Sequence, residues 1–97
     1  MVIALDFDGT WTLDPSFWHK FVFLGEALGH EFIMVTGRRD WSADMARAAI
    51  PDFIPIVYAG DEWKQTAALK AGYKVNVWID DMPGMIQPPT KLEDVAL

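Results

Sequence analysis

Short apolar runs alternate along this chain with longer segments of helical periodicity. Residues 2–7 (Val-Ile-Ala-Leu-Asp-Phe) form an apolar run ended by acid, the pattern of a buried parallel strand whose C-terminal end faces a site. Asp14-Pro15 reads as an N-cap followed by a first-turn proline. The segment after it carries Phe17, Phe21, Leu24 and Leu28 at helical spacing, which predicts a helix ending at Gly29 with that stripe in the core. Residues 31–36 predict a second buried strand, closed by Gly37-Arg38. Residues 41–50 predict a helix with Asp40 or Ser42 near its cap and Pro51 beyond its end. A third strand is expected over roughly 54–59, a third helix over about 61–71, and a fourth strand over 74–79 that ends in Asp80-Asp81. The tail from residue 82 reads as loop with at most one short helix.

Strands alternating with helices imply βαβ units, right-handed crossovers and a parallel sheet. The expected fold is α/β: one Rossmann-like, three-layer α/β/α domain over residues 1–97, with about four strands. Ligands bind such sheets outside the carboxyl ends of the strands. Those ends carry Asp6 and Asp8; Thr36, Gly37 and Arg38; and Asp80 and Asp81, while Lys64 follows the third strand. The opposite ends are bland by comparison.

Composition narrows the partners. A chain of 97 residues, 52% of them apolar, can build one real core. A net charge of −6 argues against tight nonspecific binding to nucleic acid, yet it leaves room for a nucleotide held through a metal. The absence of cysteine excludes disulfides and thiolate zinc sites and suits a reducing cytoplasm, where the protein is expected. Acid at Asp6 arrives before any long apolar stretch, so the N-terminus does not read as a signal peptide. No apolar run approaches the ~20 residues that span a bilayer, and no membrane partner is expected.

The residues at the strand ends suit phosphoryl transfer, which requires charge on the phosphate oxygens to be neutralised and the reacting groups to be held in line. An aspartate can be the nucleophile, and a second carboxyl group can protonate the leaving oxygen and then activate water. Asp6 and Asp8 would share a face of a regular strand, and Gly9 lets the chain turn just after them. Lys64 could supply a point charge and Thr36 a hydroxyl donor.

Asp6-Phe7-Asp8-Gly9-Thr10 resembles the first motif, DxDGT, of the haloacid dehalogenase superfamily. Thr36 after an apolar strand resembles the second motif, Lys64 the third, and Asp80-Asp81 after Val-Trp-Ile the fourth, all in the expected order over residues 2–83. The resemblance implies a magnesium-dependent phosphomonoester hydrolase. In it Asp6 would be nucleophile and metal ligand, forming an aspartyl-phosphate. Asp8 would be the general acid/base, with its carbonyl on the metal. Thr36, Gly37 and Lys64 would hold the phosphate, Asp81 would be the direct acidic ligand, and Asp80 an outer-shell one. Dehalogenases of this superfamily lack the second aspartate of the first motif; Asp8 therefore favours phosphotransfer. Trp11 stands where the family usually has an aliphatic residue. Neither residues 11–34 nor residues 39–63 leave room for a cap domain, so the resemblance is to the capless branch, whose open site a second subunit or a large substrate could cover.

Trp11, Trp41 and Trp63 each follow a strand's C-terminal end. Together with Arg38 they are candidates for a substrate rim that stacks on a base or aryl leaving group, against the plainer reading of packing between loops. Arg38 alone reads more simply as a solvated loop residue, and His19 and His30 fall away from the strand ends. The expected substrate is a phosphorylated small molecule or nucleotide, or a phosphorylated macromolecule. Alternatives are a polynucleotide 3′-phosphatase-like end-processing enzyme and a noncatalytic phosphate- or metal-binding module.

Overall fold

The structure, a computed structural model, describes residues 1–39 and 43–88. Four strands, β1 (Val2–Leu5), β2 (Glu31–Thr36), β3 (Ile56–Tyr58) and β4 (Val77–Ile79), pair in parallel in the order β3-β2-β1-β4. All four strands are mainly apolar, and the two central ones are the most deeply buried, because only they have neighbours on both edges. β2 spans the residues expected of it, whereas β1, β3 and β4 are shorter than the apolar runs that announce them. Single hydrogen bonds continue the ladders past the strand ends: Asp6 N donates to Ile79 O at 3.0 Å and Ala59 N to Thr36 O at 2.8 Å.

Three helices join the strands: α1 (Pro15–Ala27), α2 (Ala43–Ala49) and α3 (Lys64–Lys70). α1 begins as its sequence announces. Pro15 sits in the first turn, where no amide donor is needed, and the Asp14 side chain accepts from Phe17 N at 3.2 Å. α3 starts three residues later than expected, with Trp63 at its cap. The tail contributes one 3-10 turn, Pro83–Met85. No helix among the described residues is long and apolar enough to cross a membrane.

Strand alternation divides the core into two clusters. Ile3, Leu5, Phe32 and Met34 pack with Val22 of α1 and with Ala46 and Ile50 at α2. Ala4, Ile33, Val35 and Val57 pack with Ala67 and Ala68 of α3. The expected stripe of α1 is corrected here. Phe17, Leu24 and Leu28 are exposed, and Phe21 only leans on the core; the inward arc is Trp18, Val22 and Gly25. Gly25 decides the matter, since a Cβ there would collide with the Phe32 ring, and that close approach turns the arc 18–22–25 towards the sheet.

Candidate active site at the strand ends

Asp6 is the first residue past β1, and its side chain continues the face of Val2 and Ala4, the face covered by α3. The register Leu5↔Ile79 sets Asp80 beside Asp6 on the neighbouring strand, on the same face. Lys64, the first residue of α3, reaches down between them. Its Nζ donates to Asp6 Oδ1 at 2.7 Å and to Asp80 Oδ2 at 2.6 Å, and all three side chains are buried. A cation in the first turn of a helix opposes the helix dipole, at roughly 0.3–1 kcal/mol. The two carboxylates offset that cost. The second Asp80 oxygen, Oδ1, accepts from Met82 N at 2.8 Å, so Asp80 is engaged on both sides.

Asp81 is exposed and approaches the first motif from the other direction. Gly9, at φ 80°, brings the loop so close to the Asp81 carboxylate that a Cβ at this position would collide with it. Oxygens of Asp6, Asp80 and Asp81 lie within 4.8 Å of one another.

The electrostatics follow from this crowding. Burial pushes the Asp6 carboxyl up to about 6, against the Lys64 hydrogen bond that pulls it down, and contact with Asp81 adds to the rise. Burial alone would lower the Lys64 ammonium, but its bonds to Asp6 and Asp80 outweigh that and raise it. A divalent cation can relieve such crowding of carboxylates. The donor set is all hard oxygen, the kind of ligand that magnesium takes. Asp6, Asp80 and Asp81 are a group that could hold a metal ion.

Asp8 meets Arg38 in a two-pronged ion pair, Nε to Oδ2 and Nη2 to Oδ1, both at 2.8 Å. The Arg38 fork holds the Asp8 carboxyl below its usual range. Arg38 is also set over the Phe7 ring, 5.4 Å from its centroid, and its backbone N–H donates to Thr36 Oγ1 at 3.1 Å. A cleft of about 320 Å³ opens among these groups, with Asp6, Asp8, Lys64, Asp80 and Asp81 on its walls. Gly37, Arg38, Met82 and Met85 complete its lining.

The structure thus gathers Asp6, Asp8, Gly37, Arg38, Lys64, Asp80 and Asp81 at one place. Thr36 stands apart from the cleft wall: it is fully buried, and the alternation of β2 places it on the Phe32–Met34 face, below the turn that carries Gly37 and Arg38. Of the expected rim, Arg38 lines the cleft and Trp11 does not. Trp11 is buried in the α1–α2 cluster, where its Nε1 donates to Ala49 O at 3.1 Å. Its indole answers a free carbonyl at the end of α2 and fills the core, which is why it turns away from the cleft. Trp63 is exposed but does not line the cleft. Trp41 lies outside the described residues. Sequence reasoning missed the Arg38–Asp8 ion pair and the two methionines altogether; the position of Met82 directly after the paired acids was the one available signal.

Comparison with protein-family models, curated proteins and solved structures finds no match for this chain.

Proposed function

We propose that this chain is a magnesium-dependent phosphomonoester hydrolase of the capless haloacid dehalogenase type, a three-layer α/β/α domain working through an aspartyl-phosphate on Asp6. The observation that carries this reading is the convergence of Asp6, Asp80 and Asp81 around Lys64 at adjoining strand ends, with Asp8 in the same cleft. Bound at Asp6, Asp81 and the Asp8 carbonyl, magnesium would supply positive charge to the phosphate oxygens.

Asp6 attacks phosphorus as a carboxylate, and its pairing with Lys64 keeps it ionised and oriented despite burial. Released from Arg38, Asp8 takes up a proton from solvent and gives it to the leaving oxygen as the ester P–O bond breaks. Water then attacks phosphorus and passes a proton back to Asp8. The bond between phosphorus and the Asp6 oxygen breaks, releasing inorganic phosphate. For Asp8 to act, Arg38 must let go of at least one of its oxygens, which its half-exposed position permits. Gly37 offers backbone to the phosphate, while Thr36 holds the turn behind it through its bond to Arg38 N. Asp80 fixes Lys64 and the chain at Met82.

Turnover of 4-nitrophenyl phosphate tests the reading. Hydrolysis is expected with magnesium and lost with EDTA or in Asp6→Asn, because an amide cannot form the acyl-phosphate. Near-native turnover by Asp6→Asn would remove this residue from the chemistry.

A further inference from the structure

A site that opens directly to water still has to recognise what the phosphate is attached to. Stacking by Trp11 is excluded by its burial, and Trp63 is off the cleft. Among the described residues, the apolar side chains on the cleft wall are Met82 and Met85. Both are exposed, although methionine side chains are normally buried.

The segment that carries them is built into the site. At its start, Met82 N donates to Asp80 Oδ1, the carboxylate that also holds Lys64. The 3-10 turn Pro83–Met85 is closed by Met85 N donating to Met82 O at 3.0 Å, and Ile86 N to Pro83 O at 3.1 Å. At its far end, Gln65 N in the first turn of α3 donates to Ile86 O at 2.9 Å, beside Lys64. The backbone that carries the two thioethers is therefore tied to the same lysine-centred network that fixes Asp6. The planar Arg38 guanidinium lines the same cleft.

From this arrangement we infer that Met82 and Met85 form the leaving-group wall of the site and select phosphomonoesters whose leaving group carries one apolar ring. The inference rests on the phosphatase reading above and adds the substrate class. Thioethers are polarizable and adapt to flat ring edges and faces. A cleft of about 320 Å³ is at the small end of the ~300–1,000 Å³ usual for small-molecule sites, enough for a phosphate and one ring. The nearby cations are already matched, Lys64 by Asp6 and Asp80 and Arg38 by Asp8, so no spare basic groove is offered to a polynucleotide strand at this wall.

Binding of phenylphosphonate and methylphosphonate, measured by calorimetry with magnesium present, tests the wall without any turnover. The native chain should bind the phenyl compound roughly tenfold more tightly, the discrimination typical of a small apolar contact. In Met82→Ser/Met85→Ser that advantage should shrink to about twofold, with methylphosphonate affinity unchanged within about twofold. Met82→Leu/Met85→Leu, which restores apolar bulk, should keep most of it. A phenyl advantage that survives the serine pair, or is absent from a native chain that binds methylphosphonate, overturns the wall and leaves the phosphatase reading standing. Failure of both phosphonates to bind overturns the phosphatase reading, and the wall with it.

Discussion

Two ion-pair systems lie side by side in the cleft, and they differ in depth. In the Lys64 system the ammonium and the carboxylates of Asp6 and Asp80 are 6%, 6% and 2% exposed. In the Arg38 system the guanidinium is 28% exposed and the Asp8 carboxylate 54%. The bonds are of similar length, but the energetic consequences are not similar. Breaking a buried pair strands a charge away from water and typically costs about 3–5 kcal/mol. An exposed pair is worth roughly 0–1 kcal/mol, because water replaces the lost partner. The lysine system is thus a fixed frame for Asp6, the nucleophile of the proposed reaction, and the arginine fork is a contact that can open. A residue that must deliver and recover a proton belongs in the second environment, and a nucleophile that must keep its aim belongs in the first.

Removing the central cation should have the largest effect. Lys64→Met leaves Asp6 and Asp80 buried against each other, and should cost about 3–5 kcal/mol in urea unfolding. A loss below ~1 kcal/mol would mean that the frame is not under this load.

The next effect is a pH dependence of the metal-free protein. The folded-state value of Asp6 is raised from 3.8 to about 6, so between these values the folded state holds more protons than the unfolded chain. Stability should therefore fall as pH rises through that window, and stay at the lower level above it. Magnesium, which favours the carboxylate, should shrink the fall, and Asp6→Asn should remove it. Asp8 acts in the opposite sense: its lowered value adds stability that is lost as pH drops below the usual carboxylate range. Thermal melting from pH 4 to pH 7, in EDTA and in magnesium, checks the sign. A rise in melting temperature across the Asp6 window in EDTA would contradict it.

Arg38→Ala should be the mildest change in stability, about 1 kcal/mol, since it breaks the exposed fork and one contact with the Phe7 ring. A loss as large as that of Lys64→Met would erase the contrast between the two systems.

Much of the site was legible because strand ends concentrate function in a parallel sheet. The order of Asp6, Asp8, Lys64 and Asp80-Asp81 along the chain was enough to bring them to one rim, and the extent of β2 followed from its unbroken apolar run. What stayed hidden depends on contacts distant in sequence. The period of α1 fits two apolar arcs, and the choice between them rests on the fit of Gly25 against Phe32 in β2. Trp11 follows the first motif like a rim residue, yet a carbonyl at Ala49 claims its indole. Thr36 ends its strand as expected, but alternation from Met34 sends it to the other face of the sheet. Spacing along one segment cannot carry any of these, because each is fixed by a partner on another.

The central claim is a phosphoryl group held on Asp6. Asp8→Asn, which slows breakdown of that intermediate by weakening water activation, is the variant in which to look for it. Mixing this variant with 4-nitrophenyl phosphate and magnesium, quenching in acid and measuring peptide masses should reveal a phosphorylated peptide containing Asp6. The signal should vanish with EDTA and in Asp6→Asn/Asp8→Asn. Phosphate found on a different residue, or steady hydrolysis by the native chain with Asp6 never labelled, would contradict the account.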